Sequence, residues 1–161
     1  MRIVDRPKRK VDVPPDFNWD AALDRDDVGP LSVALVSEAL VSHGFNVRQP
    51  DDRTNTLLAR RGSRQIEVHV RGARKRSGPP FWPKHRFDPQ EGLYGAVVIL
   101  DHGKRPALYL ISSLAWREPD ALLRDLPNPR GAAPPEWRCN ISRKNDQLLA
   151  EHAFSKAVAS L

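Results

Sequence analysis

The stretch NTLLARRGSRQIEVHVR, residues 55–71, decides the fold of this chain. Residues 56–59 form a short β-prone run, residues 61–63 contain a glycine turn, and residues 64–71 alternate polar and apolar side chains. A β-prone run joined through a glycine to an alternating run is typical of two antiparallel strands. The sequence therefore predicts a β-hairpin here.

The second strand of this hairpin has two chemically different faces. Successive side chains of a strand point to opposite sides, so one face is formed by Ile66, Val68 and Val70. The other face then aligns three ionisable side chains, those of Glu67, His69 and Arg71. Such a row is either an ordinary solvated strand face or part of a functional site.

Length and composition are typical of a single globular domain. The 161 residues are 40% hydrophobic and 29% charged, and fifteen prolines favour short elements joined by irregular connections. The one cysteine, Cys139, excludes an internal disulfide and a zinc site of several cysteines. The sequence contains no signal-peptide pattern and no apolar run of about 20 residues, so we expect a cytoplasmic protein without a membrane partner.

Positive charge is concentrated in one part of the chain. The net charge is +6, but residues 60–86 carry nine arginines and lysines against Glu67 alone. This excess attracts polyanions, although a solvated basic loop has the same composition. Phe81 and Trp82 lie among these cations and either stack on bases or anchor the loop. The residues expected to contact nucleic acid are Arg60, Arg61, Arg64, Arg74, Lys75, Arg76, Trp82 and Lys84.

Apolar patterns predict the remaining elements. We expect a buried helix over 31–43, strands over 45–48, 93–100 and 107–111, a helical turn or two within 116–126, and an amphipathic helix from about 146 to the C-terminus. Residues 72–87 contain too many glycines, prolines and charges for a regular element. The predicted fold is α/β, with a central mixed sheet of about five strands flanked by helices in one domain over 29–161. Residues 1–28 are predicted to form a basic, flexible arm and loop.

The order of these elements resembles the PD-(D/E)xK nuclease superfamily, which has the restriction-endonuclease-like fold and includes Holliday-junction resolvase-like proteins. The matching phrases are ALVSEALVSHGFNV, TLLARRGSRQIEVHVRG, YGAVVILD and ALYLIS, within residues 31–111. The resemblance implies a metal-dependent endonuclease. In that superfamily two acids of the hairpin bind Mg²⁺ or Mn²⁺, and a lysine two residues after the second acid steadies the reacting phosphate.

This chain departs from that pattern at each essential position. Thr56 stands where the first aspartate is expected, and one alignment puts His69 and Arg71 at the positions of the second acid and the lysine. A shift of two residues keeps the same strand face and offers Glu67 as the acid instead. A migrated site would then use Asp51 or Asp52 and Glu67 as metal ligands. Its catalytic residues would be Glu38, Glu67 and His69, with Arg71 holding phosphate.

Three functions remain open from the sequence. The first is an active endonuclease that uses this migrated site with Mg²⁺ or Mn²⁺. The second is a degenerate nuclease-like domain that binds nucleic acid, DNA in preference to RNA, and needs no cofactor. The third is a small α/β domain that binds another protein. Because related domains often act as dimers, the resemblance adds a homodimer to the expected partners.

Overall fold

The structure, a computed structural model, describes residues 28–74, 78–101, 103–127, 131 and 133–161. The predicted N-terminal arm lies outside these residues except for Val28. The α-helices are α1 Val28–Ser42, α2 Asp146–Ala150 and α3 Phe154–Ala159, and short 3₁₀ helices span Lys84–Arg86, Ser113–Arg117 and Arg143–Asn145. Within the described residues, no helix combines the length and apolar character needed to cross a membrane.

Eight strands form two sheets. They are β1 Asn46–Arg48, β2 Thr56–Arg61, β3 Arg64–Arg74, β4 Phe81–Pro83, β5 Leu93–Leu100, β6 Ala107–Ser112, β7 Leu123–Leu126 and β8 Glu136–Cys139. The central sheet has the order β1-β2-β3-β5-β6, and only its β3–β5 pair is parallel. The second sheet is antiparallel, with the order β4-β8-β7. The predicted α/β fold with a mixed sheet of five strands is confirmed.

The hairpin of β2 and β3 has the predicted strands and turn. Leu57 pairs with Val68 and Ala59 with Ile66, and these four side chains are at most 1% exposed. Gly62 lies in the turn with φ 61°, a left-handed conformation that glycine adopts without strain. The apolar face of β3 therefore points into the core, as the alternation predicts.

The central sheet is covered on both faces. On one face, α1 and α3 pack through residues such as Val36, Leu40 and Val158, which are fully buried. On the other face, the second sheet and its loops contribute a cluster centred on Trp82, Phe87 and Trp116. Alternate residues of β5 enter the two clusters, which confirms the prediction of a strand buried on both sides.

The prediction of an irregular segment over residues 72–87 is wrong in part. Strand β3 continues to Arg74, and β4 and the first 3₁₀ helix occupy Phe81–Arg86. Strand β4 has only three residues and contains a proline, so the local pattern is too short to reveal it. Its partner β8 lies more than 50 residues later in the chain, and this distant pairing stabilises it.

Two predicted helices also differ from the structure. In place of a helical turn within 116–126, a 3₁₀ helix ends at Arg117 and β7 follows, because the side chain of Asp120 accepts hydrogen bonds from the backbone of Leu122 and Leu123 at 2.8 and 2.7 Å. The C-terminal helix is interrupted between α2 and α3. There the backbone oxygen of His152 accepts a hydrogen bond from Leu110 in β6 at 3.0 Å, which a continuous helix would not permit.

We expect Gly95→Ala to destabilise the protein by about 1–3 kcal/mol, since close-packed cores tolerate an added methyl group poorly. A Cβ atom on Gly95 would lie 2.9 Å from Cζ2 of Trp82 and 3.3 Å from Cη2 of Trp116. Gly78→Ala is the matched control, because a Cβ there meets no heavy atom within 4 Å. Urea denaturation measures both, and equal stability of Gly95→Ala and wild type would contradict the packing described.

Candidate functional site

Part of the central sheet is not covered by the second sheet. Strands β1, β2 and the first half of β3 turn one row of side chains away from α1, and we call this row the open face. Thr56 and Leu58 in it are half-buried, and the other members are exposed. The open face consists of Asn46, Arg48, Thr56, Leu58, Arg60, Gln65 and Glu67.

The open face and its hairpin turn carry exposed arginines. Within the described residues, no carboxylate forms an ion pair with Arg48, Arg60 or Arg64, all of which are exposed. Residues 46–74 contain seven arginines against two aspartates and one glutamate, a difference of +4. The three strands therefore present positive charge to solvent on a rigid support.

On the polar face of β3, coverage by the second sheet and its loops begins at His69. We call the second sheet and its loops the second layer. Its side chain is 12% exposed, and its ring lies edge-on to Phe87 with 5.4 Å between centroids. Nε2 is buried without a hydrogen-bond partner in the described part of the chain, since 3.7 Å separate it from Oε2 of Glu67. Burial lowers the pKa of His69, Glu67 opposes this, and Arg71 adds to it. The ring is therefore neutral at pH 7 and does not replace the positive charge of a lysine.

Arg71 lies further along the same face of β3. Its Nε donates a hydrogen bond to the backbone oxygen of Phe81 at 3.0 Å, one terminal nitrogen donates to the backbone oxygen of Val70 at 2.9 Å, and the guanidinium lies 5.9 Å from the Trp82 ring centroid. Burial is the main cause that lowers the pKa of Arg71, and the nearby charge of Arg86 adds to it. The Arg71 guanidinium is therefore half-buried beside Trp82 and held by backbone oxygens.

The structure does not bring the predicted metal ligands together. Glu67 faces away from α1, whereas Asp52 lines a groove of about 320 Å³ between α1 and strands β1 and β2. The Asp51 carboxylate accepts a hydrogen bond from the backbone N–H of Arg53 at 2.9 Å. It also forms an ion pair with the Arg53 side chain at 3.3 Å. Glu38 lies on α1, on the other side of the central sheet from Glu67. Among the residues described, no three His, Cys, Asp or Glu side chains are grouped closely enough to hold a metal, so these residues do not fit a Mg²⁺ or Mn²⁺ site.

Two of the side chains predicted to contact nucleic acid make contacts within the protein instead. Trp82 is fully buried and donates from Nε1 to the backbone oxygen of His69 at 3.1 Å, so it offers no surface for a base. Lys84 pairs with Asp125, and its Nζ lies 4.1 Å from the Trp137 ring centroid.

The remaining predicted contacts differ in exposure. Arg61 donates to the backbone oxygens of His43 and Leu161 at 3.0 and 2.8 Å. Arg74 is half-buried, and Lys75 and Arg76 lie outside the described residues. Arg60 and Arg64 alone among the predicted cations in the described part are exposed to solvent.

Two arginines near these sites were not among the predicted contacts. Arg48 joins the open face because β1 pairs with β2, with Arg48 opposite Leu58, and that register is not apparent from a three-residue strand. Arg86 lies in the 3₁₀ helix Lys84–Arg86, which follows β4 directly, and its charge contributes to the lowered pKa of Arg71. The alternation of FNVR was the one signal available for Arg48, and only the local charge excess pointed to Arg86.

We expect the stability of the protein to fall as the pH drops below 6.5, the ordinary pKa of His69. The unfolded chain then binds a proton that the buried ring resists in the folded state, so acid favours unfolding. His69→Gln should reduce the fall in the free energy of unfolding, measured with urea above and below pH 6.5. His152, whose pKa burial also lowers, should account for part of the remaining fall.

The exposed His85 provides the control for this measurement. His85→Gln removes an imidazole from the exposed surface and leaves the buried ring of His69 in place, so it controls for the loss of one histidine. A His69→Gln variant with an unchanged pH dependence would contradict the assignment of His69 as a buried neutral ring.

No protein-family model, no curated protein and no solved structure matches this chain. The resemblance to the nuclease superfamily therefore stays a prediction.

Proposed function

We propose that this protein binds nucleic acid through its phosphate backbone and does not cleave it. The observation that carries the proposal is the set of exposed arginines, Arg48, Arg60 and Arg64, which no carboxylate neutralises within the described residues. Arginine remains charged and binds phosphate in a bidentate manner. Such contacts give affinity without sequence specificity.

The rigid sheet beneath these arginines favours binding. Arg48 and Arg60 extend from adjacent, paired strands, whose backbone positions are fixed by the ladder to β3. A flat row of side chains on paired strands needs little reorganisation when a ligand arrives. The ordering cost of binding then falls mainly on the arginine side chains themselves.

The arrangement of acids argues against catalysis. Metal-assisted phosphodiester cleavage needs several oxygen ligands around one ion. Glu67 has His69 as its neighbour, while Asp51, Asp52 and Glu38 lie elsewhere. We therefore favour the non-catalytic function over the endonuclease. DNA as the preferred nucleic acid, a cytoplasmic location and a homodimer remain parts of this proposal.

We expect labelled DNA to bind with an affinity that falls steeply with salt, measured by fluorescence anisotropy. Arg60→Gln should make the slope of log K against log salt shallower by about 0.7–0.9, which is the effect of losing one phosphate contact. The matched control is Lys156→Gln, which removes the same charge from α3 on the other side of the sheet. A slope that changes equally in both variants would contradict a contact at the open face.

The same samples test the absence of cleavage. Single-stranded, duplex and branched DNA are incubated with Mg²⁺, with Mn²⁺ and with a chelator, and the products are separated by electrophoresis. We expect intact DNA in every sample. Metal-dependent cutting that Glu67→Gln abolishes would establish the endonuclease instead, and no binding at low salt would overturn the nucleic-acid function altogether.

A further inference from the structure

The second sheet carries a row of three side chains that crosses all of its strands. Phe81 in β4 is paired with Arg138 in β8, and Arg138 is paired with Arg124 in β7. Residues directly opposite each other on paired strands project from the same side of a sheet. The three side chains therefore share one face, and we call them the cross-strand row.

The cross-strand row points away from the central sheet. The alternate positions of the same strands contribute to the buried cluster between the two sheets, and they are Trp82, Trp137, Cys139 and Leu123. Because successive side chains of a strand alternate, the row projects to the opposite side, toward solvent. Phe81 is 46% exposed and is the one large hydrophobic side chain exposed among the described residues.

The backbone beneath the Phe81 ring is held at two points. The pairing with β8 includes a hydrogen bond from the backbone N–H of Cys139 to the backbone oxygen of Pro80 at 3.0 Å. A second support comes from Arg71, whose Nε donates to the backbone oxygen of Phe81 at 3.0 Å. The ring is therefore carried on a fixed backbone, so a ligand that binds it orders little more than side chains.

The two arginines of the cross-strand row differ in their partners. Arg138 forms an ion pair with Glu136, with 3.2 Å between Nε and Oε2, and Glu136 is the one carboxylate on this face of the three strands. Arg124 is exposed, and no carboxylate of the described residues forms an ion pair with it. The charge of Arg124 is therefore available to an anionic ligand.

We propose that the cross-strand row binds one unpaired nucleotide, with the base stacked on Phe81 and an adjoining phosphate bound by Arg124. Paired strands lie about 4.8 Å apart, so roughly 10 Å separate β4 from β7. The long side chain of Arg124 can extend across part of this gap toward the phosphate. Stacking on an aromatic side chain requires a base that is free of its partner, which a duplex does not offer. This inference rests on the proposed nucleic-acid function and specifies its preferred ligand as single-stranded.

The composition of the row favours a nucleotide over a protein partner. The core of a protein interface usually joins several apolar side chains into one patch. Phe81 instead has Arg138 directly beside it in the row, and Arg124 lies beyond. A ring next to cations is the combination by which proteins bind the bases and phosphates of single strands.

The first test measures affinities for a thymidine oligonucleotide, an abasic oligonucleotide of the same length and a duplex by fluorescence anisotropy. Phe81→Ala should weaken binding of the thymidine strand by about 5- to 150-fold, the range for loss of one stacked base. Its affinities for the abasic strand and the duplex should equal those of wild type. Equal losses for the thymidine and abasic strands would show that the ring does not stack on a base.

Two further variants separate stacking from simple apolar contact and from loss of folding. Phe81→Trp keeps an aromatic face and should retain the affinity of wild type for the thymidine strand. Phe81→Leu keeps an apolar side chain in the strand but has no aromatic face, so it should bind as weakly as Phe81→Ala. Full affinity in Phe81→Leu, with urea denaturation showing a folded protein, would overturn the proposal.

The second test isolates the phosphate contact. Arg124→Gln should make the slope of log K against log salt shallower by about 0.7 for the thymidine strand, the effect of losing one phosphate contact on a single strand. Lys156→Gln is the matched control, because it removes the same charge from an exposed position on α3. An equal change of slope in both variants would contradict a phosphate bound by Arg124.

The failure of this site and the failure of the proposed function are distinguishable. If Arg60→Gln alters DNA binding while Phe81→Ala and Arg124→Gln leave the thymidine strand unaffected, the unpaired-nucleotide site is wrong and the proposed function survives. If wild type binds no nucleic acid at low salt, both are wrong. A Phe81→Ala variant that loses self-association in sedimentation, with unchanged DNA binding, would identify the ring as a contact between protein molecules and overturn the proposal.

Discussion

From His69 onward, strand β3 is covered on both sides, although only one of its faces is apolar. Ile66, Val68 and Val70 fill the core beneath α1, while His69 and Arg71 lie under the second layer. That layer must therefore satisfy polar groups as well as bury surface. The aromatic cluster of Trp82, Phe87 and Trp116, whose ring centroids are 5.1–5.6 Å apart, meets both needs. Its apolar rings cover the strand, and the indole of Trp82 donates to the backbone oxygen of His69.

Hydrogen bonds from two further indoles connect β8 to neighbouring segments. Trp116 donates to the backbone oxygen of Arg138 in β8 at 3.1 Å, and Trp137 donates to that of Phe87 at 2.9 Å. Trp116 is fully buried and Trp137 half-buried, and neither leaves its indole N–H unpaired. The cost of this arrangement is concentrated on β3, where Nε2 of His69 lacks a hydrogen bond within the described residues. The face of β3 that carries His69 is therefore buried but still contains a polar group without a hydrogen bond in the described residues.

The sequence predicted the structural features that depend on residues close together in the chain. The hairpin, its turn at Gly62, the two-sided burial of β5 and the common face of Glu67, His69 and Arg71 all follow from alternation over a few residues. It did not predict the second sheet, because β4, β7 and β8 have only three or four residues each. The covering of His69 also escaped prediction. It depends on side chains that come from separate parts of the sequence, among them Phe87 and Trp82.

The position of Glu67 restricts how one ligand can use the whole surface. The exposed arginines Arg48 and Arg60 lie on the side of β1 and β2, while Arg71 lies further along β3 under the second layer. Glu67 lies between these groups, is 48% exposed, and has a neutral His69 beside it. A phosphate backbone that contacted both groups would have to pass this carboxylate. A stiff duplex cannot bend away locally at little cost, whereas a single strand can turn its phosphate outward at that point. If the protein binds nucleic acid as proposed, the carboxylate that the resemblance to the nuclease superfamily placed at a catalytic position therefore favours a flexible ligand over a stiff one.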